Sequence, residues 1–260
     1  MRAIIIPVNF SACSDNAARY AADLAQAIRV DLHLIHVIET PTTAAESANN
    51  SLKELQFDLR RRTCHSIKVE TRMEVGSVTA KMKELCQEIQ PYAVVLGASG
   101  PTLEKLLTGS PISSLLHKLN YPVLVIPDGV TFHQFRRVLL AFDLDDIGSG
   151  IPLSLPLLKD LRQYFGSRFD IVTVETGAVL SEEQKTFLCE NWKDQIKDLY
   201  PEIHYVRNSR VEEGIQEYLA KHEADLVMVF PKKHTFFEFH TSQSRKLAKH
   251  STIPVMSLHE

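Results

Sequence analysis

Cysteine is scarce in this sequence of 260 residues, and its few thiols are not clustered. The chain has four of them, at Cys13, Cys64, Cys86 and Cys189, and none forms a Cys-x-x-Cys pair. Structural zinc sites and disulfide frameworks need clustered or regularly spaced thiols, so the sequence argues against both. We expect reduced and mostly buried cysteines.

Long apolar runs are also missing. No stretch approaches the roughly eighteen apolar residues that are needed to cross a bilayer. The opening segment, residues 1–7, is too short in apolar residues for a secretory signal and lacks a small-residue cleavage site. These observations predict a cytoplasmic protein without a membrane partner.

Charge of one sign is not in excess, because 29 basic and 32 acidic residues give a formal net charge of −3. Domains that bind nucleic acids normally show a basic stripe or a high pI, so nucleic acid is not an expected partner. The tight basic cluster Arg60 to Arg62 is explained more simply by a solvated helix face than by a phosphate site.

The sequence does contain an internal repeat. Each half shows, in the same order, two aliphatic strands, a helix that leads into a buried strand, and a final Pro-Val strand. The matched segments are 3–9 with 138–143, 32–39 with 169–175, 78–96 with 211–229, and 121–127 with 253–258. The offset stays at about 132 to 136 residues, as expected for one domain that was copied once.

The predicted strands alternate with helices and are continuously apolar. This pattern is typical of parallel sheets that are covered on both faces. The sequence therefore predicts an α/β fold of two tandem, doubly wound, five-stranded parallel sheets, one in residues 1–130 and the other in residues 131–260.

A glycine-containing loop follows the fourth strand of the first half. It holds Gly97 and Gly100, then eight residues, then Gly109 and Ser110 in front of Pro111. Ligands of doubly wound sheets bind beyond the carboxyl ends of the strands, and glycine lets backbone amides approach a phosphate closely. Ser110 can cap the next helix, whose free amides favour an anion. A phosphate loop and a merely sharp turn both explain the glycines.

In these features the chain resembles a tandem member of the universal stress protein family over nearly its full length. Nucleotide-binding members carry Gly-x-x-Gly, nine residues, and Gly-Ser or Gly-Thr. The first half also shows Pro7-Val8-Asn9, which is similar to the family's Pro-Val-Asp, and His36 to Glu39 is typical of its second strand.

The resemblance implies that the first domain binds ATP or another adenine nucleotide, with Mg²⁺ as a companion ion. It assigns the phosphates or ribose to Gly97, Gly100, Gly109, Ser110 and Ile112, and the adenine to Pro7, Val8 and Val37, with Asn9 where an aspartate usually stands. Three features depart from the family: the spacer has eight residues, Pro111 removes an amide donor, and Asn9 carries no charge.

The equivalent segment of the second half, residues 230–242, contains no glycine. It carries Pro231, which has no amide hydrogen, and the bulky Phe236 and Phe237. Lys232 and Lys233 fit a solvated turn more simply than an anion site. We therefore predict one nucleotide per chain, bound in the first domain only.

The predicted function is that of a stress-response regulatory protein, whose nucleotide alters a surface that an unidentified protein partner contacts. By the same resemblance, the two domains would form an intramolecular pseudo-dimer through their last strands; a homodimer of whole chains stays open. One alternative is a scaffold that binds no nucleotide. Another is a slow ATPase, but the loop offers only Lys105 and no acidic metal pair. No catalytic residue or protein metal ligand is predicted.

Overall fold

The computed structural model describes residues 2–40, 44–98, 119–142, 151–176, 181, 183, 197–229 and 253–258. Its contacts divide the chain into two compact units. The first comprises Met1–Phe132 with Ala248–Pro254, and the second comprises His133–Leu247 with Val255–Glu260.

The first unit is an α/β sandwich around a parallel sheet. Its elements are β1 Ala3–Pro7, α1 Ala12–Ile28, β2 Asp31–Ile38, α2 Ala44–Arg62, β3 Val69–Val75, α3 Val78–Ile89, β4 Ala93–Ala98 and β5 Val123–Pro127. Their strands are ordered β3-β2-β1-β4-β5, and every pairing is parallel. The chain therefore winds outward in two directions, and the switch between them lies between β1 and β4.

The core of this unit follows from its most apolar strand. Ile4, Ile5 and Ile6 of β1 are all fully buried, although successive side chains of a strand point to opposite faces. Both faces of the sheet are therefore covered, as the continuous apolar run predicts. Helix α1 packs closely because its buried stripe consists largely of alanines, among them Ala18 and Ala21, which are also fully buried.

The second unit repeats this topology. Its elements are β6 Arg137–Phe142, α4 Ile151–Phe165, β7 Arg168–Glu175, a 3₁₀ turn Lys197–Leu199, β8 Glu202–Arg207, α5 Val211–Leu219, β9 Leu226–Val229 and β10 Val255–Ser257. The order within this unit is β10-β9-β6-β7-β8, and every pairing is again parallel. The α/β fold with parallel, doubly wound strands is confirmed.

One glycine shows how tightly the second unit is packed. A Cβ atom built on Gly214 of α5 would lie 2.6 Å from Cγ1 of Val174 on β7. Glycine normally weakens a helix interior, but here it lets the helix approach the sheet. In the part of the chain that the structure describes, no helix is both long enough and apolar enough to span a membrane.

Candidate functional site

The first unit brings several predicted site residues to one edge of its sheet. Pro7 and Val8 lie at the carboxyl end of β1, Val37 near that of β2, and Gly97 near that of β4. Val8 is buried, whereas Pro7, Val37 and Gly97 are half-buried. This edge contains the switch point between β1 and β4, where doubly wound sheets bind ligands.

The other predicted phosphate contacts cannot be placed in the same way. Gly100, Gly109, Ser110 and Ile112 lie outside the described residues, so their assignment stays a prediction. The described part of this loop ends at Ala98, which pairs with Pro127 of β5.

Asn9 is exposed and organises the start of α1. Its Oδ1 atom accepts hydrogen bonds from the backbone N–H of Ser11 at 3.1 Å and from the Ser11 hydroxyl at 2.8 Å. The Ser11 hydroxyl in turn accepts the N–H of Ser14 and caps the helix. Asn9 therefore uses its side-chain oxygen within the protein, and its Nδ2 group has no hydrogen-bond partner among the described residues.

This arrangement changes what position 9 offers a ligand. An aspartate would present a second carboxylate oxygen, whereas Asn9 presents an N–H₂ donor. The residue is thus suited to donate to a ligand oxygen and poorly suited to coordinate a cation.

The Val8 carbonyl is held by a histidine from the neighbouring strand. Nδ1 of His36 on β2 lies 2.8 Å from the oxygen of Val8. Because a carbonyl only accepts hydrogen bonds, Nδ1 carries the proton. The sequence identifies His36 as typical of the family, and the structure adds that it fixes the main chain at the end of β1.

Phe10 completes this corner and is the residue that the sequence analysis missed. Its backbone is in the left-handed region with φ of 61°, which is uncommon for an aromatic residue. Its ring lies over that of His36 with 4.6 Å between the centroids. No signal in the sequence indicates a positive φ at a phenylalanine, so only the structure could find it.

We expect His36→Phe to lower the free energy of unfolding by about 1 kcal/mol, because the new ring keeps the contact with Phe10 but cannot donate to Val8. Urea denaturation followed by circular dichroism measures this loss. His33→Phe is the matched control, since His33 lies on the same strand and contacts the side chain of Glu70 instead. Equal unfolding free energies for His36→Phe and the native chain would contradict the assigned hydrogen bond.

Gly97 is required by the packing of the fold itself. A Cβ atom at this position would lie 2.6 Å from the main-chain oxygen of Cys13 and 2.9 Å from its Sγ atom. Cys13 belongs to the first turn of α1, so the absent side chain lets β4 approach the start of that helix. Burial, with a smaller contribution from Asp128, raises the pKa of the Cys13 thiol, which is therefore a packing group rather than a nucleophile.

Comparison with known proteins assigns this chain to a family. The model of the family described as "Universal stress protein family" matches residues 1–127. Universal stress protein G of Shigella flexneri is 32% identical over 146 residues, which cover 48% of this chain and 98% of that protein. The chain belongs to the universal stress protein family.

A solved structure with a TM-score above 0.5 agrees with this fold. A universal stress protein from Archaeoglobus fulgidus DSM 4304 is 17% identical and matches 99% of this chain and 98% of its own, with a TM-score of 0.73. Another structure, of the universal stress protein from Archaeoglobus fulgidus in complex with dAMP, covers 48% of this chain with 19% identity and a TM-score of 0.40. Its ligand is a property of that protein.

Proposed function

We propose that this chain is a stress-response regulatory protein that binds one adenine nucleotide in its first unit. The observation that carries the proposal is the convergence of Val8, Asn9, Val37 and Gly97 at the carboxyl edge of a doubly wound sheet. In such sheets the switch point is the usual place for a nucleotide.

The described residues suit different parts of this ligand. Pro7, Val8 and Val37 provide an apolar surface at the ends of β1 and β2, which suits the adenine ring. Asn9 offers an N–H₂ group that has no partner among the described residues, and this donor suits a ribose hydroxyl or a phosphate oxygen. The loop that starts at Gly97 would then carry the phosphates, as the resemblance to the family implies.

The same geometry bears on the companion ion. The Oδ1 atom of Asn9 already accepts two hydrogen bonds, and position 9 has no second oxygen. Any Mg²⁺ would therefore be held mainly by the phosphates and water rather than by this residue. Phosphoryl transfer needs a positioned metal or cation, so this arrangement favours nucleotide sensing over turnover.

The second unit would act without a nucleotide. Residues 1–130 and 131–260 would be two copies of one domain, and the copied loop in residues 230–242 lacks every glycine of the first. The ligand-bound first unit would then control the surface that a protein partner contacts.

Two measurements test the proposal on the full chain. Mass spectrometry of small molecules released by heating should detect an adenine nucleotide. Calorimetric titration of stripped protein with ATP, ADP and AMP should saturate near one equivalent, and GTP is the matched control for base recognition. The absence of binding would favour the alternative of a scaffold protein that binds no nucleotide. Saturation near two equivalents would contradict the assignment of the nucleotide to the first unit alone. Steady release of phosphate from bound ATP would favour the alternative of a slow ATPase.

A further inference from the structure

Three side chains of the types that commonly ligate metals lie together at the amino ends of strands β7 and β8 in the second unit. Asp170 lies near the amino end of β7, and Glu202 and His204 lie at the amino end of β8. Asp170 pairs with Glu202 in the parallel register, and Glu202 and His204 are two residues apart. All three side chains therefore project from one face of the sheet. One ligand atom from each lies within 4.8 Å of the others.

The imidazole of this cluster carries a nitrogen for which the described part of the chain provides no hydrogen bond. Nε2 of His204 is shielded from solvent and has no hydrogen-bond partner among the described residues. It lies 3.9 Å from Oε2 of Glu202, which is too long for a hydrogen bond. A buried nitrogen in this position needs a partner, and a bound cation would provide one.

Tyr218 supports the cluster from α5. It is buried, its ring centroid lies 5.0 Å from that of His204, and its side chain is hydrogen-bonded to Asp170. The tyrosine hydroxyl is the donor in this hydrogen bond, because a carboxylate only accepts. Hydrogen bonds of this kind orient the carboxylates that ligate metals.

The matching place in the first unit shows the contrast. There His33 of β2 pairs with Glu70 of β3 in the parallel register, and Nδ1 of His33 lies 3.4 Å from Oε2 of Glu70. Lys68 forms an ion pair with Glu70 and lowers the pKa of its carboxyl. No described lysine or arginine forms an ion pair with Asp170 or Glu202. Among the described residues, the second unit thus has two carboxylates and a histidine here without a lysine such as the one that neutralises Glu70 in the first unit.

We propose that Asp170, Glu202 and His204 bind a divalent transition-metal ion such as Zn²⁺. One imidazole nitrogen and two carboxylate oxygens match the ligands of zinc, and water would complete the coordination. Mg²⁺ and Ca²⁺ prefer oxygen ligands alone, so the histidine favours a transition metal. The ion would neutralise the two carboxylates and link β8 to β7 within the second unit, independently of the nucleotide site.

Calorimetric titration of the full chain with ZnCl₂ tests this site, using protein without a histidine tag that has been stripped with a chelator. We expect one equivalent of Zn²⁺ to bind. His204→Ala removes a proposed ligand and should weaken zinc binding at least about 100-fold. Tyr218→Phe removes only the hydroxyl that is hydrogen-bonded to Asp170 and should weaken zinc binding by about 10-fold. His33→Ala is the matched control from the first unit and should leave zinc binding unchanged.

Three results would overturn the proposal. The native chain could fail to bind zinc in the micromolar range, His204→Ala could bind it with native affinity, or His33→Ala could weaken binding as much as His204→Ala. Circular dichroism checks that each variant is folded. Glu202→Gln provides a second test on an exposed side chain, whose replacement should leave the fold intact and still weaken zinc binding.

Discussion

Gly97→Val is expected to lower the free energy of unfolding by about 1–3 kcal/mol and to abolish binding of adenine nucleotide. The Cβ atom alone would lie 2.6 Å from the carbonyl oxygen of Cys13, closer than real Cβ contacts allow. A main-chain oxygen cannot rotate away as a side chain can. Either the first turn of α1 must move or β4 must shift against β5, where Gly97 pairs with Ile126. Both movements would displace the end of β1 and the loop after β4.

Urea denaturation followed by circular dichroism measures the first effect, and calorimetric titration with ATP measures the second. Gly129→Ala is a suitable control, because a Cβ atom there meets nothing within 4 Å. The only expected cost of this substitution is the strain of placing an alanine at a positive φ of 74°. That control should lose about 1–2 kcal/mol from backbone strain and keep nucleotide binding. Native stability of Gly97→Val would show that α1 and β4 do not approach each other this closely.

Gly100→Val should remove nucleotide binding and leave the free energy of unfolding within about 0.5 kcal/mol of the native value. The reason lies in the spacing of Gly97, Gly100, Gly109 and Ser110, which predicts a loop whose backbone amides approach the phosphates. A branched side chain at the second glycine would keep the phosphates away from those amides.

The comparison of the two variants separates ligand binding from folding. Gly97→Val changes both quantities, whereas Gly100→Val changes binding alone. Calorimetric titration with ATP decides the second case, and circular dichroism confirms that the variant is folded. If Gly100→Val binds ATP as tightly as the native chain, the phosphate-loop assignment is wrong.

The fold was predictable because burial on both faces of a sheet leaves continuous apolar runs in the sequence. Runs such as Ile4 to Ile6 are apolar at every position, which only strands covered on both faces require. The alternation of such runs with helices predicts parallel, helix-covered strands, and the structure confirms parallel pairing within each unit. The family was also identifiable from the sequence, since its motif residues stand in order along the chain.

The positions of several candidate site residues were predictable for a similar reason. Pro7, Val8, Asn9 and Val37 follow or end apolar strands, and parallel strands bring their carboxyl ends to one edge of a sheet. The sequence cannot show what these residues contact. The bond from His36 to Val8 and the left-handed backbone of Phe10 depend on how neighbouring strands and the start of α1 meet.

The sequence by itself thus determined the α/β class and the family, and it predicted the repeat and the edge of the sheet where a ligand is expected. The tertiary structure alone decided which distant residues meet. Gly97 is forced by Cys13, which lies far away in the sequence and touches it only because α1 packs on β4. Asp170 meets Glu202 because β7 and β8 pair in one particular register. Periodicity records how deeply a residue is buried, whereas register and helix packing decide its neighbours, and these emerge only when the whole chain has folded.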